Sequence, residues 1–199
     1  MQKLRYSRYF KSAIIILDIL IVAAVFVFVF LMRHEYVLEK ARTEENVLSL
    51  LLLSLFWILL SGRTKLYSIP RNLTYTLYVE RIVTHIFIFL LGIVLLAKVS
   101  NNEFLKYERF WITFTLFIIL FLVKSFIFFT LKYIRAQGRN YRNVMFIAEN
   151  SSSEILKDIV TQRKDYGYRV YEFPNEEINI MELQNFWREK EIQTVFILT

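Results

Sequence analysis

The sequence predicts four membrane-spanning helices followed by a small, incomplete α/β module. Three observations predict it. Four apolar stretches, Ala13–Met32, Val47–Leu60, Ile82–Val99 and Phe110–Thr130, are each bounded by charged residues. The basic excess is confined to the same part of the chain: residues 1–143 carry 19 Lys/Arg against 8 Asp/Glu, whereas residues 144–199 carry 6 against 10. After Tyr141 the pattern changes to short apolar runs that alternate with amphipathic segments. The expected organisation is therefore a transmembrane domain over residues 1–143 and a cytoplasmic module over 144–199.

A helix needs roughly 20 apolar residues to cross about 30 Å of hydrocarbon. The first, third and fourth stretches meet this. The second has 14 residues between Val47 and Leu60, which cover about 21 Å. It must borrow flanking residues or thin the bilayer, and a half-inserted hairpin is the alternative. The first stretch is too long for a signal-peptide core and no small-x-small cleavage site follows it, so it reads as a retained span.

Orientation follows from the basic flanks. Lys3, Arg5, Arg8 and Lys11 precede the first span, Arg63, Lys65, Arg71 and Arg81 lie between the second and third, and Lys132, Arg135, Arg139 and Arg142 follow the fourth. Only Glu80 opposes them there. The other side carries Arg33, Lys40, Arg42, Lys98, Lys106 and Arg109, offset by six acids. Both termini and the middle loop are expected in the cytoplasm. The basic excess suits topology and anionic lipid rather than nucleic acid. Tyr6, Tyr9 and Phe10, Trp57 and Tyr67, Tyr107, Phe110 and Trp111, and Tyr133 stand where interfacial anchors belong. In the loop Leu66–Arg81, Pro70 is a plausible start for a short amphipathic helix carrying Leu73 and Leu77 into the third span.

Two ionisable residues interrupt the spans: Asp18 in the first and Lys124 in the fourth. Both fall in the cytoplasmic half, so they can pair between helices, snorkel, or mark a functional site. One acid and one base make no transport pathway. With no cysteine, and only His34 and His85 as histidines, disulfides, thiolate sites and His-rich metal sites are excluded.

In the tail, Val144–Ala148 reads as a strand. Ser151–Glu154 forms a capping box that opens a helix to about Lys164, and Ile155, Leu156, Ile159 and Val160 supply its apolar face. Arg169–Phe173 is a second strand, Met181–Lys190 a second helix and Thr194–Leu198 a third strand. This β-α-β-α-β order is Rossmann-like. A dinucleotide site needs glycines after the first strand. The turn here, Glu149-Asn-Ser-Ser-Ser153, has none and places an acid where phosphate would approach. A docking or regulatory module is the expectation, and three strands and two helices make a marginal core that other sequence or another chain would complete.

Residues 131–148, LKYIRAQGRNYRNVMFIA, resemble the junction "LR..G.N.R.VLIVG" of bacterial polyisoprenyl-phosphate hexose-1-phosphate transferases, which initiate exopolysaccharide and O-antigen synthesis. Residues 165–173, DYGYRVYEF, are similar to the family's "YGYRVVGFFDD" segment. Trp57, Gly62, Leu66-Tyr67, Arg71 and Glu80 follow its "W…GLY…R…E" pattern. The resemblance implies a multi-pass protein of the bacterial inner membrane. It also implies a family chemistry in which an Asp-Glu pair and Mg²⁺ move a sugar phosphate from a UDP-sugar to undecaprenyl phosphate. That chemistry belongs to a later domain, so no catalytic, cofactor or metal residue is carried over and this chain alone should be inactive. The chain departs from the family's glycine-containing turn at Glu149–Ser153. Membrane lipids and a second copy of the chain are the expected partners. A free-standing scaffold of a polysaccharide assembly complex is one alternative. The front end of a membrane nucleoside-diphosphate-sugar dehydratase, which shares a similar four-span plus α/β architecture, is another.

Overall fold

A computed structural model describes residues 6–32, 40–138, 140–147, 151–172 and 180–197. The chain divides into two compact units, residues 1–126 and 127–199. Helices α1 (Tyr6–Met32), α2 (Lys40–Arg63), α3 (Tyr75–Ser100) and α4 (Glu103–Ala136) are all long and apolar enough to cross a membrane. Strand β1 (Arg142–Ile147), helix α5 (Ser151–Gln162), strand β2 (Tyr168–Glu172), helix α6 (Ile180–Glu189) and strand β3 (Thr194–Ile197) follow.

Each long helix turns one stripe inward and leaves the rest to lipid. On α1 the stripe is Ile14, Asp18, Val22, Val25 and Val29; on α3 it is Tyr78, Ile82, His85, Ile86, Phe89, Ile93 and Ala97. On α4, Ile112, Leu116, Leu120, Lys124 and Phe128 recur every fourth residue. Ile16, Leu20, Leu51, Leu59, Phe87, Leu95 and Phe126 lie on the outside. A bundle in lipid gains little from burying apolar groups, because lipid is as apolar as leucine; close packing and polar contacts hold it instead. Phe56 stacks against Phe89 with ring centroids 6.1 Å apart, and Gly92 makes room for that ring: a Cβ there would lie 2.3 Å from Phe56 Cε1. Phe26 and Phe30 meet Phe104 edge-on at 5.2 and 5.4 Å, joining α1 to α4.

The second span is the continuous helix expected, 24 residues with its flanks included, and the alternative of a half-inserted hairpin falls away. Its shortage of apolar residues is made up by polar ones that find partners inside: buried Asn46 and Ser49 both accept from Asn102 Nδ2, at 2.9 and 3.3 Å, while Asn102 Oδ1 accepts from Leu105 N. Pro70 starts no separate amphipathic helix. Its carbonyl closes a turn onto Leu73 N, and α3 begins at Tyr75 behind the N-cap Thr74. Arg81 anchors this loop by donating to the Ser68 carbonyl at 2.7 Å. Trp57 and Tyr67 are not interfacial anchors: Trp57 is 0% exposed and donates to the Tyr67 hydroxyl at 3.2 Å. Tyr107, Phe110, Trp111 and Tyr133 do face outward, while the side chains of Tyr6, Tyr9 and Phe10 lie outside the described residues.

In the second unit the three strands are parallel in the order β2-β1-β3. The third strand thus joins the free side of β1, whereas in a Rossmann half it joins the second strand. A small parallel sheet with helical crossovers is present; the Rossmann order is not. Val144 and Phe146 alternate onto the face covered by α5, where they pack with Val160, Tyr168 and Val170. Gly167 takes φ +65° to turn the chain from a short 3₁₀ segment, Lys164–Tyr166, into β2. Of the glycine-free segment Glu149–Ser153, Ser151–Ser153 form the first turn of α5, while residues 148–150 and the side chains of the capping box lie outside the described ones. Asp165 binds Lys132 Nζ at 2.6 Å and the Arg163 guanidinium at 2.9 and 3.1 Å.

Two predictions follow from this packing. Gly92→Ala should destabilise the chain by about 1–3 kcal/mol, as overpacking does, whereas Gly62→Ala, which meets nothing within 4 Å, should not; thermal unfolding in detergent compares them. The Arg163 hydrogen bonds, and then Lys132, hold the Asp165 carboxyl well below its ordinary value. A depressed folded pKa contributes stability that is whole above the ordinary carboxylate range and is lost as pH falls below it. The stability gap between wild type and Asp165→Asn should therefore be constant from neutral pH to about pH 5 and narrow toward pH 3.

Candidate functional site

The first unit encloses a polar cluster to which all four helices contribute. Asp18 on α1 and Lys124 on α4 approach to 2.7 Å (Nζ to Oδ2), with side chains 0% and 1% exposed. Each occupies the inward stripe of its helix, so the spacing that buries Ile14 and Val22, or Leu120 and Phe128, also buries the charge. Snorkelling is therefore ruled out for Lys124: its ammonium turns inward, over the Tyr67 ring at 4.7 Å from the centroid. Tyr67 and Trp57 turn polar groups toward Asp18, but neither carboxylate oxygen meets full hydrogen-bond geometry. The attraction is chiefly one of charge. Burial, then the Asp18 carboxylate, push the Tyr67 phenol well above its ordinary value, so Tyr67 remains a neutral hydroxyl.

His85 completes the cluster. Its Nδ1 lies 2.9 Å from Thr64 Oγ1, and its ring meets Trp57 edge-on at 4.1 Å. The Thr64 hydroxyl also lies 3.2 Å from the Leu60 carbonyl, so it bridges that carbonyl and the imidazole. Nε2 is enclosed and meets no hydrogen-bond partner. The space bounded by Trp57, Leu66, His85, Leu120 and Lys124 does not admit a water molecule.

This arrangement can hold helices together, because an acid on α1 and a base on α4 meet in a packed interior. No group of His, Asp and Glu among the described residues has the geometry to hold a metal ion. The structure thus brings together the two residues singled out from sequence and adds Trp57, Thr64, Tyr67 and His85 around them. A sequence signal for His85 existed: it falls on the same helical stripe as Tyr78, Ile82 and Phe89. Comparison of the chain with protein-family models, with curated proteins and with solved structures gave no match.

The ion pair predicts a specific pattern of stabilities. Asp18→Leu or Lys124→Met alone should cost about 3–5 kcal/mol, because each leaves a buried charge uncompensated. The double substitution Asp18→Leu with Lys124→Met should recover most of the loss. A double-mutant cycle on thermal unfolding in detergent measures the coupling, and additive losses would contradict the pairing.

Proposed function

We propose that this chain is the membrane anchor and accessory part of a sugar-phosphate transferase that initiates exopolysaccharide or O-antigen synthesis on undecaprenyl phosphate. It would lie in the bacterial inner membrane with both termini in the cytoplasm. The observation that carries the anchoring role is the Asp18–Lys124 pair, both side chains buried between α1 and α4. Charges in a conduit face water or a partner that changes; these face each other in a packed interior. The assignment to glycoconjugate synthesis is supported by the sequence likeness of residues 131–148 and 165–173 to the transferase family. The module would serve docking or regulation, and transfer chemistry would reside in a domain with its own acid pair and Mg²⁺.

Two measurements test this reading. The purified chain, given a UDP-sugar, Mg²⁺ and undecaprenyl phosphate, should release no UMP; release above background would contradict it. The absence of native cysteine makes sidedness measurable. An impermeant maleimide on intact cells should label Asn101→Cys, and should label Ser68→Cys only after permeabilisation. The reverse pattern would contradict the orientation.

A further inference from the structure

Arg135, in the last turn of α4, is only 8% exposed. Its Nε is enclosed and meets no hydrogen-bond partner. A guanidinium is rarely buried without an anion, because desolvating it is expensive unless charge and hydrogen bonds compensate. The groups that act on its charge are Tyr168, Arg142 and Asp165. Asp165 is the one acid among them, and its oxygens are already taken by Lys132 and Arg163. Arg142 repels. Lys132 and Arg163 therefore hold the carboxylate, and Arg135 is left with a second base, Arg142, acting on it.

The depth of the site names the ligand. Arg135 lies five residues past Thr130, where the apolar stretch ends, about 8 Å further along the helix. Outward-facing Tyr133, two residues earlier on the same helix, is at the level of an interfacial anchor. An arginine matches phosphate with a planar pair of N–H donors, and a phosphate has oxygens enough to satisfy a second guanidinium and cancel the repulsion between the two. We propose that Arg135, supported by the charge of Arg142, binds a phosphate group at the membrane surface, carried by the headgroup of an anionic lipid. This inference is independent of the transferase reading: it stands on one enclosed cation and its neighbours.

The test uses the purified full chain in nonionic detergent, with thermal unfolding followed against dioctanoyl phosphatidic acid, dioctanoylglycerol and inorganic phosphate. Phosphatidic acid should raise the unfolding temperature saturably, and the other two should not at the same concentration. An equal shift with dioctanoylglycerol, or no saturable shift with phosphatidic acid, overturns the site; an equal shift with inorganic phosphate overturns the lipid as its source. Arg135→Gln should weaken the phosphatidic acid response at least tenfold. Arg169→Gln, at an exposed residue stacked on Tyr141, should leave it unchanged. Arg135→Met should abolish the response yet raise the unfolding temperature of the lipid-free chain, since it removes a buried charge. If Arg135→Met instead lowers that temperature while Arg135→Gln binds like wild type, Arg135 is structural and the proposal fails.

Discussion

The contact between Asp18 and Lys124 is the constraint around which the first unit is arranged. Apolar side chains give a membrane bundle little preference for one helix arrangement over another, because each can pack on lipid instead of on its neighbour. A carboxylate and an ammonium have no such freedom. Separated in hydrocarbon, each carries a penalty of several kcal/mol; at 2.7 Å they offset most of it. The pair therefore sets the rotation of α1 and α4 and their relative height. The inward stripes on both helices then follow from 3.6-residue periodicity. Trp57, Tyr67 and His85 fill the space around the pair and keep water out.

A second polar contact acts at the opposite end of the bundle. Asn102, which follows the left-handed residue Asn101 between α3 and α4, reaches into α2 through Asn46 and Ser49. Between these two layers the packing is steric, and the space at Gly92 admits the Phe56 ring. Polar contacts at two depths and close ring packing between them suit a platform better than a gate, which needs a layer that can open.

Much of this was legible in the sequence, and the failures have physical causes. Hydrophobic run length and charged flanks found all four helices, because crossing hydrocarbon leaves few alternatives. The same rule found α2 but left it short, since it counts apolar residues and takes no account of polar ones satisfied by a partner 53–56 residues away. Trp57 and Tyr67 were misplaced because a ring with a polar tip suits a membrane interface and a buried hydrogen bond equally well. Pro70 suits a helix start or a turn, and the carbonyl contact to Leu73 decided for the turn. In the second unit the strands and helices were readable to within a residue or two. Which side of β1 receives β3 was not: that depends on the path of the crossover, which local pattern does not encode. The pairing of Asp18 with Lys124 was visible only as two charges in the same half of the membrane; their contact spans 106 residues.

The exchange of the two charges tests most directly whether the pair governs the bundle. Asp18→Lys combined with Lys124→Asp retains one acid and one base in contact while reversing their places. If the pair sets the arrangement of α1 and α4, each single change should unfold the chain in detergent at markedly lower temperature, and the exchanged double variant should regain most of the loss. A double variant no more stable than the worse single, or single variants as stable as wild type, would contradict it.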